Sequence, residues 1–383
     1  MKIIQNKFVL SLVFVGLFSC TTNPGDPLLS SLQNQIDNIR IANKIPAIAY
    51  GVIKNDSIIV ANVIGYRNIE TSDEAGIKDL FHIGSNTKSF TVFLAGKLVE
   101  EGLISWDTRF FDLFPEMKNG SDSAYYEITL QRLLSHRARL IPFKGESDKP
   151  IINYEKDIVN DLPLHEKRYL LVKKVLTYPP IPLHDHHDDR YSNAGYIAAA
   201  LMLENSSDKK WEKLVNTMSH ELDLNIHIGW PDSFSEHNPN GHINPRLWEI
   251  DLEEDLIPIP KVLRSYHYFN QHILLCTPSG HLSISLKKFL EFLRLHIEGL
   301  HGKDNYLKSE TYKHIFTAYP DYSLGWATRL YDQTCFHHRG SAGTFNSIAL
   351  ILPDSDLGIV VMVNTYDRTG LDEIVEVLIN KFS

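Results

Sequence analysis

Ser85 and Lys88 stand three residues apart in the segment Phe81-His82-Ile83-Gly84-Ser85-Asn86-Thr87-Lys88-Ser89-Phe90-Thr91. On a helix that spacing puts both side chains on one face. A serine at the helix start also meets the positive end of the helix dipole. A weak alcohol nucleophile needs both: an amine to take its proton, and a field favouring negative charge. The spacing alone is a weak signal, because Ser206/Lys209, Ser207/Lys210 and Ser285/Lys288 share it. Ser85 stands apart through Gly84 before it, its apolar flanks, and two further motifs later in the chain.

The first of these is Tyr191-Ser192-Asn193, leading into the apolar run Ile197-Ala198-Ala199-Ala200-Leu201. The second is His338-Arg339-Gly340-Ser341-Ala342-Gly343, after a short strand-like segment. Each has a decoy, in Tyr268-Phe269-Asn270 and His227-Ile228-Gly229. With the three motifs in this order, the chain resembles the serine β-lactamase and penicillin-binding protein superfamily. It is most similar to the class C-like branch, which also holds esterases, D-aminopeptidases and D,D-peptidases. The resemblance runs from about Ala47 to the last helix. It includes Ile128-Thr129-Leu130-Gln131-Arg132-Leu133-Leu134-Ser135-His136, Leu324-Gly325-Trp326 and Pro353-Asp354-Ser355-Asp356-Leu357-Gly358-Ile359-Val360-Val361.

That resemblance implies a serine hydrolase acting on a small-molecule or peptide substrate through a Ser85 acyl-enzyme, with no metal or organic cofactor. Lys88 must be neutral part of the time to accept a proton, which burial makes possible. Tyr191 is the second candidate for proton shuttling, and Asn193 orients Lys88 and the substrate amide. The implied oxyanion hole uses the backbone N–H groups of Ser85 and of Ser341, the residue after Gly340. His338 is a departure, since true β-lactamases carry lysine there. An imidazole hydrogen bond is worth ~1 kcal/mol against ~1.5–3 for a charged one. Arg339 points to the opposite face of a strand from His338 and Gly340 and is a doubtful substitute. Poor β-lactam hydrolysis follows. A second departure is Arg137-Ala138-Arg139-Leu140, where relatives carry Thr-Ser-Gly-Leu. Loss of that glycine changes a turn, and the two arginines either recognise an anion or are solvated surface groups, the commoner outcome.

The elements that must position these residues are legible in outline. Leu28 or Leu29, Leu32, Ile36 and Ile39 recur at helical spacing before Pro46. Residues 47–53 and 58–64 are apolar and β-branched around the turn Lys54-Asn55-Asp56, a hairpin. A helix runs from Asn86 with Phe90, Phe93, Leu94 and Leu98, and another over 283–300. Strand signals follow at 324–331, 334–338, 345–352 and 359–363, then a helix over 371–382. Strands at both ends with helices between predict an α/β (α+β) fold with one antiparallel sheet. In the resemblance that sheet is five-stranded and flanked by helices. Residues 28–110 plus 275–383 form the sheet domain, and 111–274 a mainly helical insert.

At 383 residues and 43% hydrophobic content, the chain can bury one large core or two modest ones. A net charge of −9 without a long basic run argues against nucleic acid. After the N-terminus no run of about 18 apolar residues occurs, so none spans a membrane. Lys2 and Lys7 precede the apolar stretch 8–17, and Leu17-Phe18-Ser19-Cys20 resembles a lipobox. Residues 1–20 are then a lipoprotein signal peptide. Cys20 is the lipidated first mature residue, an anchor to the membrane surface of the cell envelope, and 21–27 a linker. Ordinary secretion with nearby cleavage is the alternative. Cys276 and Cys335 fit a disulfide of an exported protein or, more commonly, two small buried apolar residues. His184-Asp185-His186-His187-Asp188-Asp189 nearly matches a metallo-hydrolase signature. Tyr191-Ser192-Asn193 follows at once and assigns the same loop to serine chemistry. The rival from another class is a binding protein or sensor that kept the pocket and lost turnover.

Overall fold

The computed structural model describes residues 27–144, 162–182, 190–244, 256–258, 274–330 and 333–383. The signal segment with Cys20, linker residues 21–26, the histidine-rich run 184–189 and the decoy at 268–270 lie outside the described residues.

The two apolar runs near the start form the hairpin β1 (Ala47–Lys54) and β2 (Ser57–Asn68). Asn55 and Asp56 turn it at φ 50° and 60°, a region these short polar side chains tolerate. β1 pairs with β12 (Leu357–Val363), and β12 with β11 (Asn346–Leu352). Outward from there lie β10 (Gln333–Ser341) and β9 (Ala327–Leu330), while β2 pairs with the two-residue β3 (Asp73–Glu74). All pairings are antiparallel, and the sheet has seven strands rather than five, the short β3 and β9 forming its edges.

Both faces of the sheet are covered, so β1, β11 and β12 read as near-continuous apolar runs. Ala47, Ala49, Val360 and Met362 face one side; Ile48, Tyr50, Ile359 and Val361 face the other. The second side packs on α1 (Pro27–Ala42) and on the last helix, α8 (Thr369–Phe382). The first packs on α6 (Leu286–Leu300) and, beyond it, α2 (Thr87–Glu100). The same continuous core takes in α3 (Leu164–Val175), α4 (Asn193–Ser207), α5 (Trp211–Glu221) and α7 (Ser309–Thr317).

One expected helix begins late. Leu282-Ser283-Ile284-Ser285 alternates with period two and forms β8 (Leu282–Ser285), paired with β4 (Leu80–His82) and β5 (His227–Ile228). The helical stripe starts only at Leu286. This small three-stranded sheet carries the chain into the Ser85 turn. A two-stranded ribbon, β6 (His242–Ile243) with β7 (Ile257–Pro258), completes the described strands.

Candidate active site

β4 ends at His82, and the chain passes through one 3-10 turn (Gly84–Asn86) into α2. Gly84 is left-handed at φ +50°, and a Cβ there would lie 2.5 Å from the Ser341 nitrogen. β10 closes on the same turn, since a Cβ on Gly340 would come 1.8 Å from the Ile83 carbonyl oxygen. Ser347 Oγ donates to that carbonyl at 2.8 Å, and Asn86 Nδ2 donates to Ser347 Oγ at 2.8 Å. Two distant segments therefore meet backbone to backbone, which brings Ser85 against Gly340 and Ser341. Only residues without a side chain permit that approach.

Lys88 is fully buried in the first turn of α2. Its Nζ lies 3.2 Å from Ser85 Oγ, 2.8 Å from Asn193 Oδ1 and 2.8 Å from the Ser279 carbonyl oxygen. Burial pushes the amine well below the ordinary lysine value; Cys276 opposes the shift and Lys144 adds to it. A neutral amine has two N–H groups and one lone pair. That set matches two acceptors, Asn193 Oδ1 and Ser279 O, and one hydroxyl donor, Ser85.

The Tyr-Ser-Asn motif divides its work by position. Tyr191 lines the cavity with Ser85, and Lys88 Nζ lies 4.5 Å from its ring centroid. Ser192 caps α4: its Oγ accepts from Gly195 N–H at 3.2 Å and donates to Ile141 O at 2.6 Å. Asn193 Nδ2 donates to Phe143 O at 3.0 Å, which fixes the amide so that Oδ1 faces Lys88.

The cavity holds about 620 Å³ and runs from Ser85 along β10 towards β9. His338 lines it, but both ring nitrogens are bonded within the protein, Nδ1 to Arg339 O at 2.7 Å and Nε2 to the Tyr322 hydroxyl at 3.0 Å. Nδ1 faces a carbonyl and donates to it, so Nε2 of the neutral ring accepts from the Tyr322 hydroxyl, and the expected hydrogen bond from His338 to substrate is not available. Arg339 is ion-paired with Asp372 of α8. Neither Arg137 nor Arg139 is a solvated surface group. Arg137 is paired with Asp321, donates to Tyr322 O at 2.8 Å and stacks 3.9 Å from the Tyr319 centroid. Arg139 keeps the left-handed backbone a glycine would supply, at φ +59°. Its Nε donates to Ile181 O at 2.8 Å, and Ile181 N–H returns to Arg139 O at 2.9 Å. The turn survives without glycine because these bonds offset its strain.

The decoys separate clearly. Lys288 meets the carboxylates of Asp223 and Glu291, each at 2.9 Å. Its modest burial would lower the pKa, yet those bonds raise it above the ordinary lysine value, the reverse of Lys88. His227 sits on β5 against Ser283, away from the Ser85 turn. Cys276 and Cys335 are buried thiols without a disulfide. Among the described residues no three His, Cys, Asp or Glu side chains are grouped to hold a metal, and no helix is long and apolar enough to cross a membrane. Two contributors escaped the sequence: Ser279, which acts through its carbonyl, and Tyr322, which takes up His338. A carbonyl has no side-chain signature, and the only cue was Pro278 and Gly280 around it.

The family model described as Beta-lactamase matches residues 32–380. Protein flp of Staphylococcus aureus strains MRSA252 and N315 is 23% identical over 349 residues in each case, covering 88% of this chain. The chain spans 64% of the length of those relatives. The octameric penicillin-binding protein homologue from Pyrococcus abyssi shares the fold with a TM-score of 0.66 at 21% identity, over 89% of this chain and 74% of that one.

Proposed function

This chain belongs to the beta-lactamase family, and on that premise we propose that it is a serine hydrolase cleaving an ester or amide through an acyl-enzyme on Ser85. One observation carries this reading: an enclosed lysine amine within reach of a single hydroxyl and two acceptors. Ser85 Oγ attacks the carbonyl carbon while its proton passes to the Lys88 lone pair. The protonated amine then has three donors for Ser85, Asn193 and Ser279 O. Lys88, with Tyr191 beside it, returns the proton to the leaving group, and water releases the acyl group by the reverse sequence. The N–H groups of Ser85 and Ser341 receive the oxyanion, where one such donor is worth about 3 kcal/mol in hydrolases.

The cavity wall favours a substrate with negative charge beyond the scissile bond. Among the described residues Arg329 and Arg368 line it, no carboxylate does, and neither arginine is ion-paired. With His338 turned to Tyr322, that charge sits differently from the carboxylate of a β-lactam, so β-lactams are poor substrates. Fluorophosphonate labelling that disappears in Ser85→Ala tests the nucleophile, and its absence in the wild type would favour a silent binding protein. Nitrocefin turnover as fast as that of p-nitrophenyl esters would overturn the substrate preference. The Leu17-Phe18-Ser19-Cys20 sequence supports a lipid anchor at the cell envelope, and unchanged membrane association of Cys20→Ala would reject it.

A further inference from the structure

We propose that His82 and His281 are positioning residues, a buried pair of neutral imidazoles that together hold the Gly84–Ser85 turn by its backbone. The proposal rests on Ser85 being the nucleophile.

The hydrogen bonds give the pair a direction. Gly84 N–H donates to His82 Nδ1 at 3.1 Å, so that nitrogen carries no hydrogen. A neutral ring then carries its hydrogen on Nε2, which lies 2.9 Å from His281 Nδ1. His281 Nδ1 must accept, and its own hydrogen sits on Nε2. The opposite tautomer of His82 would set two hydrogens face to face at Gly84.

Everything around the pair keeps it still and uncharged. The Trp230 indole stacks on His82 with centroids 4.6 Å apart, and His82 is tied to Ser283 of β8 through the strand ladder. Burial lowers both rings, His281 to about 3 and His82 well below the imidazole range, with the facing His281 adding to the second shift.

The position of His281 gives the contact its consequence. It lies two residues after Ser279, whose carbonyl touches Lys88, while His82 lies two residues before Gly84. One hydrogen bond between two rings therefore joins the backbone that presents the nucleophile to the backbone that orients the base. Gly84 in its left-handed conformation sets where the Ser85 N–H and Oγ point. A release of its amide would let that turn rotate.

The test uses p-nitrophenyl butyrate as probe and compares amides that imitate one imidazole nitrogen each. In His82→Asn the side-chain oxygen can take the place of Nδ1 and accept from Gly84. In His82→Gln the amide takes the place of Nε2, keeping His281 and abandoning Gly84. Both lose the ring stacked on Trp230, so the folding penalty is shared. A misplacement near 1 Å costs on the order of a hundredfold, so His82→Gln should lose at least ~10-fold in kcat with KM nearly unchanged, while His82→Asn stays within ~5-fold. His281→Asn, which retains an acceptor, should follow the second pattern. His281→Leu leaves the Nε2–H of an intact His82 ring buried without its acceptor, which favours the tautomer that sets a hydrogen against Gly84 N–H, and should follow the first. Equal losses in the two His82 variants, or activities that simply track Tm across all four, would overturn the proposal. The 15N spectrum of wild-type protein labelled at histidine gives a readout independent of catalysis and of variant folding. A bare Nδ1 and protonated Nε2 on His82 are expected, and a protonated Nδ1 would refute the pair. If fluorophosphonate fails to label wild-type Ser85, the nucleophile assignment falls, while the spectrum still judges the pair.

Discussion

Replacing Lys88 with methionine keeps an unbranched stem of similar length in an enclosed site and removes only the amine. Two consequences follow, with different pH dependence. Loss of the base should lower kcat/KM for an ester by about 10²–10⁴-fold at neutral pH, since Ser85 would attack without proton removal. Asn193 Oδ1 and Ser279 O lose a donor, at a cost of about 1–3 kcal/mol for each acceptor left unpaired. Against this stands the wild type's own penalty for enclosing an amine. Lys88 has an ordinary value of 10.5 when unfolded and a lower one when folded, because burial disfavours its charge. Between those values the unfolded chain binds more protons than the folded one, so wild-type stability rises with pH at about 1.4 kcal/mol per unit. Methionine has no proton to lose, and every other titrating group cancels between the two proteins. Urea unfolding of both at about pH 7, 8 and 9 should therefore show the wild type gaining on Lys88→Met as pH rises. A flat difference across that range would falsify the claim that the folded lysine is poised to be neutral. Retention of more than about a tenth of the activity by the variant would remove Lys88 from the mechanism.

Three further outcomes are expected. Gly340→Ala places a Cβ 1.8 Å from the Ile83 carbonyl oxygen, which is backbone and cannot swing aside, and 2.5 Å from Ser347 Oγ. Stability should fall by about 3 kcal/mol or more, and a wild-type Tm would disprove the close approach. Desolvation lowers buried His242 and His296 to about 4 from the ordinary 6.5. The unfolded chain takes up those protons first, so on acidification stability is lost between about pH 6.5 and 4, on the order of 3 kcal/mol per ring. A urea midpoint unchanged over that interval would contradict the burial. Reversing Arg329 and Arg368 to glutamate should raise KM about tenfold for a succinate monoester and leave a neutral ester almost unaffected. Equal effects on the two esters would exclude a role in recognising charge.

The structure separates what local spacing can convey from what packing adds. Residues three apart on a helix share a face in any fold, so Ser85 and Lys88 were visible as a pair, and Tyr-Ser-Asn and His-x-Gly marked where partners would come from. Apolar runs fixed the hairpin and the three adjacent strands β1, β12 and β11, because strands covered on both faces leave little room for polar residues. Other features had no local signature. The alternation at 282–285 was hidden by the helical stripe following it, and only pairing with β4 and β5 makes it a strand. His338 looked available to substrate until Tyr322, distant in the chain, took its Nε2. Arg139 stands where the family resemblance led us to expect glycine, and the contact with Ile181 keeps the turn regardless.

The chain alone thus marked which side chains are candidates for the chemistry and in what order they occur. The fold decided their condition: whether the amine is charged, which way each imidazole nitrogen points, and which carbonyl completes the set. The reason is that protonation and hydrogen-bond direction depend on exclusion of water and on backbone atoms, and neither is encoded by the identity of any single residue.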